Sequence, residues 1–356
     1  MGFQMTPGRG SAKAPPMTHA PTYDVCAVGN AIVDVLAPCA PAFLEAQGLT
    51  AGSMQLVDAR QSAALYAAMA PGVEASGGSA GNTVAGIGSF GGRAAYIGKV
   101  ADDQLGAVFS HDIRAAGVAF DTAPLTNGAA AGLATGVCMI NVTPDGQRTM
   151  CTFLGAANQL AAADIDADRI GASAIVYLEG YLFDPAPARA AFEAAAAAAH
   201  AAGRKVAITL SDTFVVARWR AELLAFIEAS ADIVLANEGE LAALFETDDF
   251  DAAAAHLGRI VETAAVTRGA AGSVVFGRGG AERVEIAACP VDRVVDTTGA
   301  GDQYAAGFLL GLARGLSLED AGKLGSLAAA EVIAHWGPRP MTSLEGLARE
   351  AGLTLA

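Results

Sequence analysis

Short β-type runs alternate with helical segments from about residue 170 onward. This alternation predicts a parallel or mostly parallel sheet with helices on both faces. The ligand of such a sheet binds at the carboxyl ends of the strands. The predicted strands are Ile175–Leu178, Val206–Leu210, Ile233–Ala236, Ala265–Thr267 with Ser273–Phe276, and Arg293–Val295. The predicted helices lie near Ala188–Ala202, Trp219–Ala229 and Phe250–Glu262.

Two segments interrupt the alternation and predict a small second β structure. Gly132–Val142 and Gln147–Leu154 flank the turn sequence Thr143-Pro-Asp-Gly146, which is typical of an antiparallel hairpin. An inserted hairpin forms either a lid over the ligand site or a surface decoration. The predicted division is a flexible tail (1–20), an α/β nucleotide-binding core (21–36, 58–118 and 155–356) and a small β lid (37–57 and 119–154).

The composition argues against two classes of binding partner. The chain has 37 acidic and 22 basic residues, a net charge of −15, which argues against binding to nucleic acid or to an anionic membrane. No run of about 18 apolar residues free of charge is present, so no membrane span is expected. The five cysteines form no C-x-x-C pair, which predicts reduced thiols in a cytoplasmic protein.

The sequence around Asp302 suits phosphoryl transfer. A β-type run ends in a turn of small residues that opens a helix, and Gly299, Ala300 and Gly301 leave room for an anion at the helix N-terminus. Asp302 would then stand beside a bound phosphate as a base. A plain glycine turn with Asp302 as a helix cap fits the same residues.

Two upstream segments predict a sugar site. Gly77 and Gly78 allow a ligand to approach the backbone closely, and the amide of Asn82 suits a vicinal diol. Asp34 follows the strand-like run that ends near Gly29, where a carboxylate can accept two hydroxyl protons. A glycine turn capped by Ser79 explains the first of these segments equally well.

Two common nucleotide-binding patterns are missing or misplaced. The sequence contains no G-x-x-x-x-G-K-[ST], which makes a P-loop kinase unexpected. Gly86, Gly88 and Gly91 form a G-x-G-x-x-G, but at the C-terminal end of a helical run instead of between a strand and a helix. A nicotinamide dehydrogenase is therefore not predicted.

Over residues 23–345 the chain resembles the ribokinase/PfkB family of carbohydrate and nucleoside kinases. Both family signatures are present, one within Gly77–Gly106 and one within Asp296–Leu309. Asn237-Glu-Gly-Glu240 and Thr267-Arg-Gly-Ala-Ala-Gly272 follow the family order. The resemblance implies a doubly wound α/β core with a small β lid, ATP and Mg²⁺ as cofactors, and a monomer or homodimer. It leaves open a monovalent cation such as K⁺ near Asp296, which some relatives have.

The resemblance also implies roles for the residues of the site. Asp302 matches the catalytic base, and Gly299, Ala300 and Gly301 match the anion hole. Asn237 and Glu240 match the motif that holds Mg²⁺ largely through water, and they equally suit a helix capping box. Thr267, Gly269 and Gly272 match the ATP-side turn, Asp34, Gly77, Gly78 and Asn82 match the sugar site, and Arg148 on the lid would approach the phosphates.

The substrate is predicted to be a purine nucleoside. The lid and base-side segments resemble adenosine kinases, and under that likeness Leu154, Leu182 and Phe214 flank the purine, with core packing as the alternative for each. Glu179 and Asp212 depart from the pattern, because adenosine kinases of the eukaryotic type carry small neutral residues there. The predicted reaction is ATP-dependent phosphorylation of the 5′-hydroxyl, adenosine to AMP. A kinase of ribose or fructose and a non-catalytic sensor are the alternatives.

Overall fold

The computed structural model describes residues 20–355. The strands are β1 Tyr23–Val28, β2 Ile32–Pro38, β3 Met54–Leu56, β4 Val73–Ser76, β5 Ala94–Ile97, β6 Gly136–Val142, β7 Arg148–Phe153, β8 Ser173–Glu179, β9 Lys205–Thr209, β10 Ile233–Asn237, β11 Thr263–Thr267, β12 Ser273–Gly277 and β13 Glu282–Ile286. The helices are α1 Pro41–Ala46, α2 Ala59–Ala68, α3 Ser79–Ser89, α4 Gln104–Ala115, α5 Ala167–Gly171, α6 Ala186–Ala201, α7 Thr213–Ser230, α8 Glu238–Phe245, α9 Phe250–Ile260, α10 Ala300–Ala313, α11 Leu318–Ile333 and α12 Leu344–Glu350. The predicted flexible tail lies outside the described residues, apart from Ala20.

The larger sheet is doubly wound, as predicted. Its eight strands follow the order β13-β12-β11-β10-β9-β8-β1-β5, and neighbouring strands pair in parallel except at one edge, where β12 is antiparallel to both β11 and β13. Strand order reverses at β1, which lies between β5 and β8. A ligand site is expected beside such a switch point, at the carboxyl ends of the strands.

Helices cover both faces of this sheet. One apolar cluster includes Ile87 of α3 and Leu309 of α10, and the cluster on the other face includes Phe192 of α6 and Leu257 of α9. Because both faces are covered, the parallel strands are continuous apolar runs, which is why the sequence pattern predicted them.

The second sheet contains the predicted hairpin but is larger than the hairpin. Strands β6 and β7 pair antiparallel, and the five strands follow the order β3-β7-β6-β2-β4. The predicted division placed residues 32–36 and 73–76 in the core, and this was wrong, because β2 and β4 belong to the second sheet. Burial alternates along β2, so one face of the strand is packed and the other is more open.

Two predicted elements differ from the structure. Arg293–Val295 is not a strand: Val294 is 54% exposed, and the N–H of Val295 donates to the carbonyl of Ile333 instead of to a sheet. Helix α7 begins at Thr213, not near Trp219, because the Asp212 carboxylate accepts from the N–H of Phe214 at 2.7 Å and caps the helix earlier. None of the helices between residues 20 and 355 has both the length and the apolar character needed to cross a bilayer.

Candidate active site

The catalytic carboxylate predicted from the sequence lies in the first turn of α10. Gly299 is the N-cap of this helix and adopts a φ of 79°, in the left-handed region that favours glycine. A Cβ at Gly299 would also stand 2.6 Å from the Cα of Pro338. The helix therefore begins at Ala300 and holds Asp302 at its positive end.

Both oxygens of Asp302 accept hydrogen bonds from α3. Ser79 Oγ donates to Oδ1 at 2.6 Å, and Asn82 Nδ2 donates to Oδ2 at 3.1 Å. Burial raises the pKa of Asp302, while the bonds from Ser79 and Asn82 and the nearby Arg339 guanidinium lower it. A buried carboxylate with a raised pKa is a stronger base than an exposed one.

A cavity of about 270 Å³ opens beside Asp302. It lies where the carboxyl ends of β9, β10 and β11 meet the N-terminus of α10. This is the expected edge of the sheet, but the cavity is beside β9, β10 and β11 instead of beside the switch point at β1. Its lining residues are Ser79, Thr209, Ser211, Leu235, Ala236, Asn237, Glu240, Ala265, Thr267, Gly299, Gly301, Asp302 and Tyr304. Six residues of the predicted site thus share one cavity: Asn237, Glu240, Thr267, Gly299, Gly301 and Asp302.

The predicted anion hole needs one correction. A Cβ at Gly301 would meet nothing within 4 Å, so the backbone there faces open space. The N–H of Ala300, however, donates to the carbonyl of Thr297 at 3.2 Å, and Ala300 does not line the cavity. The N–H of Ala300 is thus hydrogen-bonded within the turn that begins α10. Of the three residues of the predicted anion hole, only Gly299 and Gly301 line the cavity.

Asn237 and Glu240 form a capping box at the start of α8. The side-chain oxygen of Asn237 accepts from the N–H of Glu240 at 2.9 Å, and Glu240 Oε2 accepts from the N–H of Asn237 at 2.9 Å. Burial raises the pKa of Glu240 to about 7. The two side chains also line the cavity, so capping and ligand binding are compatible at this position.

The donor set fits Mg²⁺ held largely through water. Glu240 and Asn237 offer carboxylate and amide oxygens, the ligand type that Mg²⁺ prefers. Within residues 20–355, no group of three or more His, Cys, Asp or Glu side chains is arranged to hold a metal ion. An ion at Glu240 would therefore complete its coordination with waters and with phosphate oxygens of the nucleotide.

The predicted sugar residues lie on β2 (Asp34), in the loop that enters α3 (Gly77 and Gly78) and in the first turn of α3 (Asn82). A Cβ at Gly77 would stand 2.4 Å from the Asp34 carboxylate, and one at Gly78 would stand 2.3 Å from the carbonyl oxygen of Asn30. Burial raises the pKa of Asp34 to about 6, and the guanidinium of Arg339 opposes this effect. Asp34 also interacts electrostatically with Asp302, which places the predicted sugar site next to the predicted base.

Arg148 joins the second sheet to the segment that precedes α10. Its Nη2 lies 2.6 Å from Asp296 Oδ2, and the two side chains are only 8% and 6% exposed. Its guanidinium lies 5.1 Å from the ring of Trp336, a cation–π contact. Arg148 is thus paired with a carboxylate in this structure, and a monovalent cation at Asp296 would have to share that carboxylate with it.

The structure does not bring the predicted purine neighbours into the cavity. Leu182 is fully buried in the apolar core, and Phe214 is 78% exposed at the start of α7. Leu154 is half-buried just before a short 3₁₀ turn. Apolar side chains fill cores and binding pockets alike, so the sequence could not separate these outcomes.

The ATP-side turn is only partly at the cavity. Thr267 ends β11 on the cavity wall, whereas Gly269 and Gly272 lie beyond it. Gly269 and Gly272 have φ values of 55° and 83°, and a Cβ at Gly272 would stand 2.0 Å from the carbonyl oxygen of Ile286. Both glycines therefore shape the turn that leads into β12.

Glu179 and Asp212, the two departures from the adenosine kinase pattern, both bind backbone groups. Glu179 is 1% exposed and accepts from the N–H and Nδ2 of Asn30 and from the N–H of Ala80. Burial raises its pKa to about 7, against the effect of these donors. Asp212 caps α7. Each carboxylate thus has a local structural function, and neither requires a sugar or a base as its partner.

Three groups at the site were not predicted. Ser79 was recognised only as a possible cap, yet its hydroxyl binds Asp302. Ser211 lines the cavity with a φ of 68°, and its buried Oγ has no hydrogen-bond partner. Such strain in a residue other than glycine is typical of functional sites. Arg339 belongs to no motif, and only its long-range contacts identify it.

Leu182 and Phe214 should differ sharply in their effect on stability. Because Leu182 is buried, Leu182→Ala is expected to lower the free energy of unfolding by about 2–5 kcal/mol. Phe214→Ala removes an exposed ring and should change it by less than about 0.5 kcal/mol. Urea unfolding of both variants measures the difference. A large loss in Phe214→Ala, or none in Leu182→Ala, would contradict these placements.

The chain is similar to a known protein family and to solved structures. The model of the pfkB family carbohydrate kinases matches residues 56–344. The structure of the adenosine kinase from Sinorhizobium meliloti superimposes with a TM-score of 0.84 at 53% identity and covers 92% of this chain and 99% of its own. The structure of a probable sugar kinase from Rhizobium etli CFN 42 superimposes with a TM-score of 0.86 at 47% identity. The match covers 94% of this chain and 100% of that protein.

A relative from yeast extends the comparison. The adenosine kinase of Saccharomyces cerevisiae is 26% identical over 337 residues, which cover 89% of this chain and 96% of the relative. The two structural neighbours also confirm the predicted ribokinase-like α/β class, with its two sheets and covering helices. The chain therefore belongs to the pfkB family of carbohydrate kinases and is a phosphotransferase.

Proposed function

We propose that the protein transfers the γ-phosphoryl group of ATP to the 5′-hydroxyl of adenosine, forming AMP and releasing ADP. The observation that supports this most directly is Asp302 at the N-terminus of α10, with both oxygens bound by α3 and the cavity beside it. A base next to a helix N-terminus can take a proton from a hydroxyl while backbone amides stabilise the transferred phosphoryl group.

The roles of the other residues follow from their positions. ATP would occupy the cavity, with its phosphates near Gly299 and Gly301 and with Mg²⁺ near Glu240 and Asn237. The ion would neutralise the charge that develops on the phosphates. Asp34 would accept the ribose diol beside Asp302, so that the 5′-hydroxyl meets the base. In-line transfer needs little covalent help, and positioning would supply most of the rate.

Adenosine is proposed as the substrate because adenosine kinases occur among both the structural and the sequence relatives, one at 53% identity. A sugar kinase is the second candidate. Leu182 is buried and Phe214 exposed, so the structure offers less apolar surface for a base than the sequence predicted. The five free cysteines support a cytoplasmic location within the same proposal.

One substrate panel tests the proposal. ATP consumption would be followed with adenosine, guanosine, inosine, ribose, fructose and fructose phosphates, and the products identified by mass. The highest kcat/KM is expected for adenosine. A preference for ribose or fructose would overturn the nucleoside assignment and leave a sugar kinase. Binding without turnover of any substrate would indicate a sensor.

Glu240→Gln should weaken the dependence on Mg²⁺ more than the affinity for the nucleoside. The substitution removes the charge that attracts the ion, and the half-saturating Mg²⁺ concentration should rise about tenfold. Glu238→Gln is the matched control, because Glu238 lies in the same helical turn but is exposed and paired with Arg268. The test is the reaction rate measured over a series of Mg²⁺ concentrations. If the curve for Glu240→Gln is the same as that for the wild type, Glu240 has a capping role only.

A further inference from the structure

Arg339 connects three parts of the site through one guanidinium group. Its Nε donates to Asn82 Oδ1 at 3.3 Å, and its Nη1 donates to Asp112 Oδ2 at 3.0 Å. The side chain is 20% exposed, and Nη2 is buried without a hydrogen-bond partner. Asp112 also accepts from the N–H and Oγ of Ser76, the last residue of β4. Arg339 therefore links the C-terminal segment to α3 directly and, through Asp112 on α4, to the end of β4 in the second sheet.

The bond to Asn82 determines which end of the amide faces Asp302. An arginine only donates hydrogen bonds, so the amide oxygen of Asn82 faces Arg339. Its Nδ2 then faces Asp302 and donates at 3.1 Å. A flipped amide would place its NH₂ against the guanidinium and its oxygen against the carboxylate, and both bonds would be lost. Arg339 thereby keeps a donor on the carboxylate.

The positive charge of Arg339 also favours the ionised form of the Asp302 carboxylate. The titratable groups around Asp302 are Asp34 on β2, Tyr177 and Glu179 on β8, Tyr181 after that strand, and Glu240 on α8. The guanidinium of Arg148 interacts electrostatically with Asp34. All of these except Arg148 are acidic groups. Burial raises the pKa of Asp302, and the Arg339 guanidinium lowers it. Without that cation, protonation of the carboxylate would be favoured further.

We propose that Arg339 is a positioning residue that orients the Asn82 amide and supplies the positive charge facing Asp302. The role of Asp302 as base comes from the proposed function, and this inference rests on that role. Arg339 itself need not touch the substrate. It acts on Asp302 through its hydrogen bond to Asn82 and through the electrostatic effect of its positive charge.

Three variants test this assignment. Arg339→Met removes the charge and the donors, and Arg339→Lys keeps the charge without the two-pronged geometry. Arg314→Met is the matched control, because Arg314 is 18% exposed and bonds to Asp24 and to the carbonyl of Gly91 at the opposite end of α10. For each variant the pH profile of kcat/KM and the melting temperature would be measured with the best substrate of the panel. If Arg339→Met does not fold, Arg339→Gln removes the same charge.

The expected results separate positioning from stability. Arg339→Met should lower kcat about 10- to 100-fold because the base is misplaced. The acid limb of its pH profile of kcat/KM should move to higher pH, because the pKa of Asp302 rises without the cation. Arg339→Lys should return the acid limb to its wild-type pH, because the charge is kept, but it should not restore the full kcat. Arg314→Met should lower the melting temperature without moving the limb. A profile of Arg339→Met that superimposes on the wild type, or an equal shift in Arg314→Met, would overturn the proposal.

A second readout needs no turnover. Infrared difference spectroscopy can follow the titration of the Asp302 carboxylate, assigned by its loss in Asp302→Asn. Titration at higher pH in Arg339→Met than in the wild type supports the role of Arg339 even if no substrate is phosphorylated, in which case the proposed function alone fails. An unchanged titration overturns the role of Arg339 whatever the substrate.

Discussion

Asp302→Asn is expected to lower kcat by about 10²- to 10⁴-fold while the affinities for ATP and nucleoside change by less than about tenfold. Removing a proton from the attacking hydroxyl is a transition-state role, and an amide cannot perform it. Ground-state contacts should survive because Ser79 and Asn82 remain in place on α3. Steady-state kinetics and calorimetric binding measure the two effects separately.

Asp320→Asn is the matched control for this experiment. Asp320 occupies the first turn of α11 as Asp302 occupies that of α10, but it pairs with Ser317 and does not line the cavity. Its variant should keep full activity. An Asp302→Asn protein that retains more than a few per cent of kcat would contradict the assignment of Asp302 as base.

Gly77→Ala should lower kcat/KM by about 10- to 100-fold. The added Cβ would stand 2.4 Å from the Asp34 carboxylate, so the carboxylate or the loop must move. Since Asp34 is proposed to hold the ribose diol, the displacement should raise KM and also misplace the 5′-hydroxyl relative to Asp302. Kinetics with adenosine and with ribose measure the loss, which should appear for both substrates.

Gly81→Ala separates this effect from any general sensitivity of α3. A Cβ at Gly81 would meet nothing within 4 Å. Alanine favours a helix over glycine by about 1 kcal/mol, so the variant should be as active as the wild type and as stable or more stable. Equal kcat/KM for Gly77→Ala and the wild type would show that the position of Asp34 does not matter for the reaction.

The sheet was predictable because burial on both faces produces apolar runs. The runs at Ile175–Leu178 and Ile233–Ala236 became β8 and β10 for that reason. Arg293–Val295 has a similar local composition but no neighbouring strand, and a local pattern cannot show whether a neighbour exists. The extent of the second sheet was missed for the same reason, since β2 and β4 join it through distant partners.

The site was predictable where close spacing carries the chemistry. Gly299, Gly301 and Asp302 lie within four residues, and the structure places all three on the cavity wall. Arg339 could not be predicted, because its contact with Asn82 spans 257 positions. The placement of Leu182 in the core was equally hidden, since an apolar residue after a strand suits a core and a pocket equally well.

A crystal structure with adenosine and a non-hydrolysable ATP analogue tests the central claim most directly. The account predicts the 5′-oxygen within about 2.6–3.2 Å of an Asp302 oxygen, with the γ-phosphate at the N-terminus of α10 and the ribose diol on Asp34. A 5′-oxygen bound away from Asp302, or a γ-phosphate held elsewhere than beside Gly299 and Gly301, would contradict it.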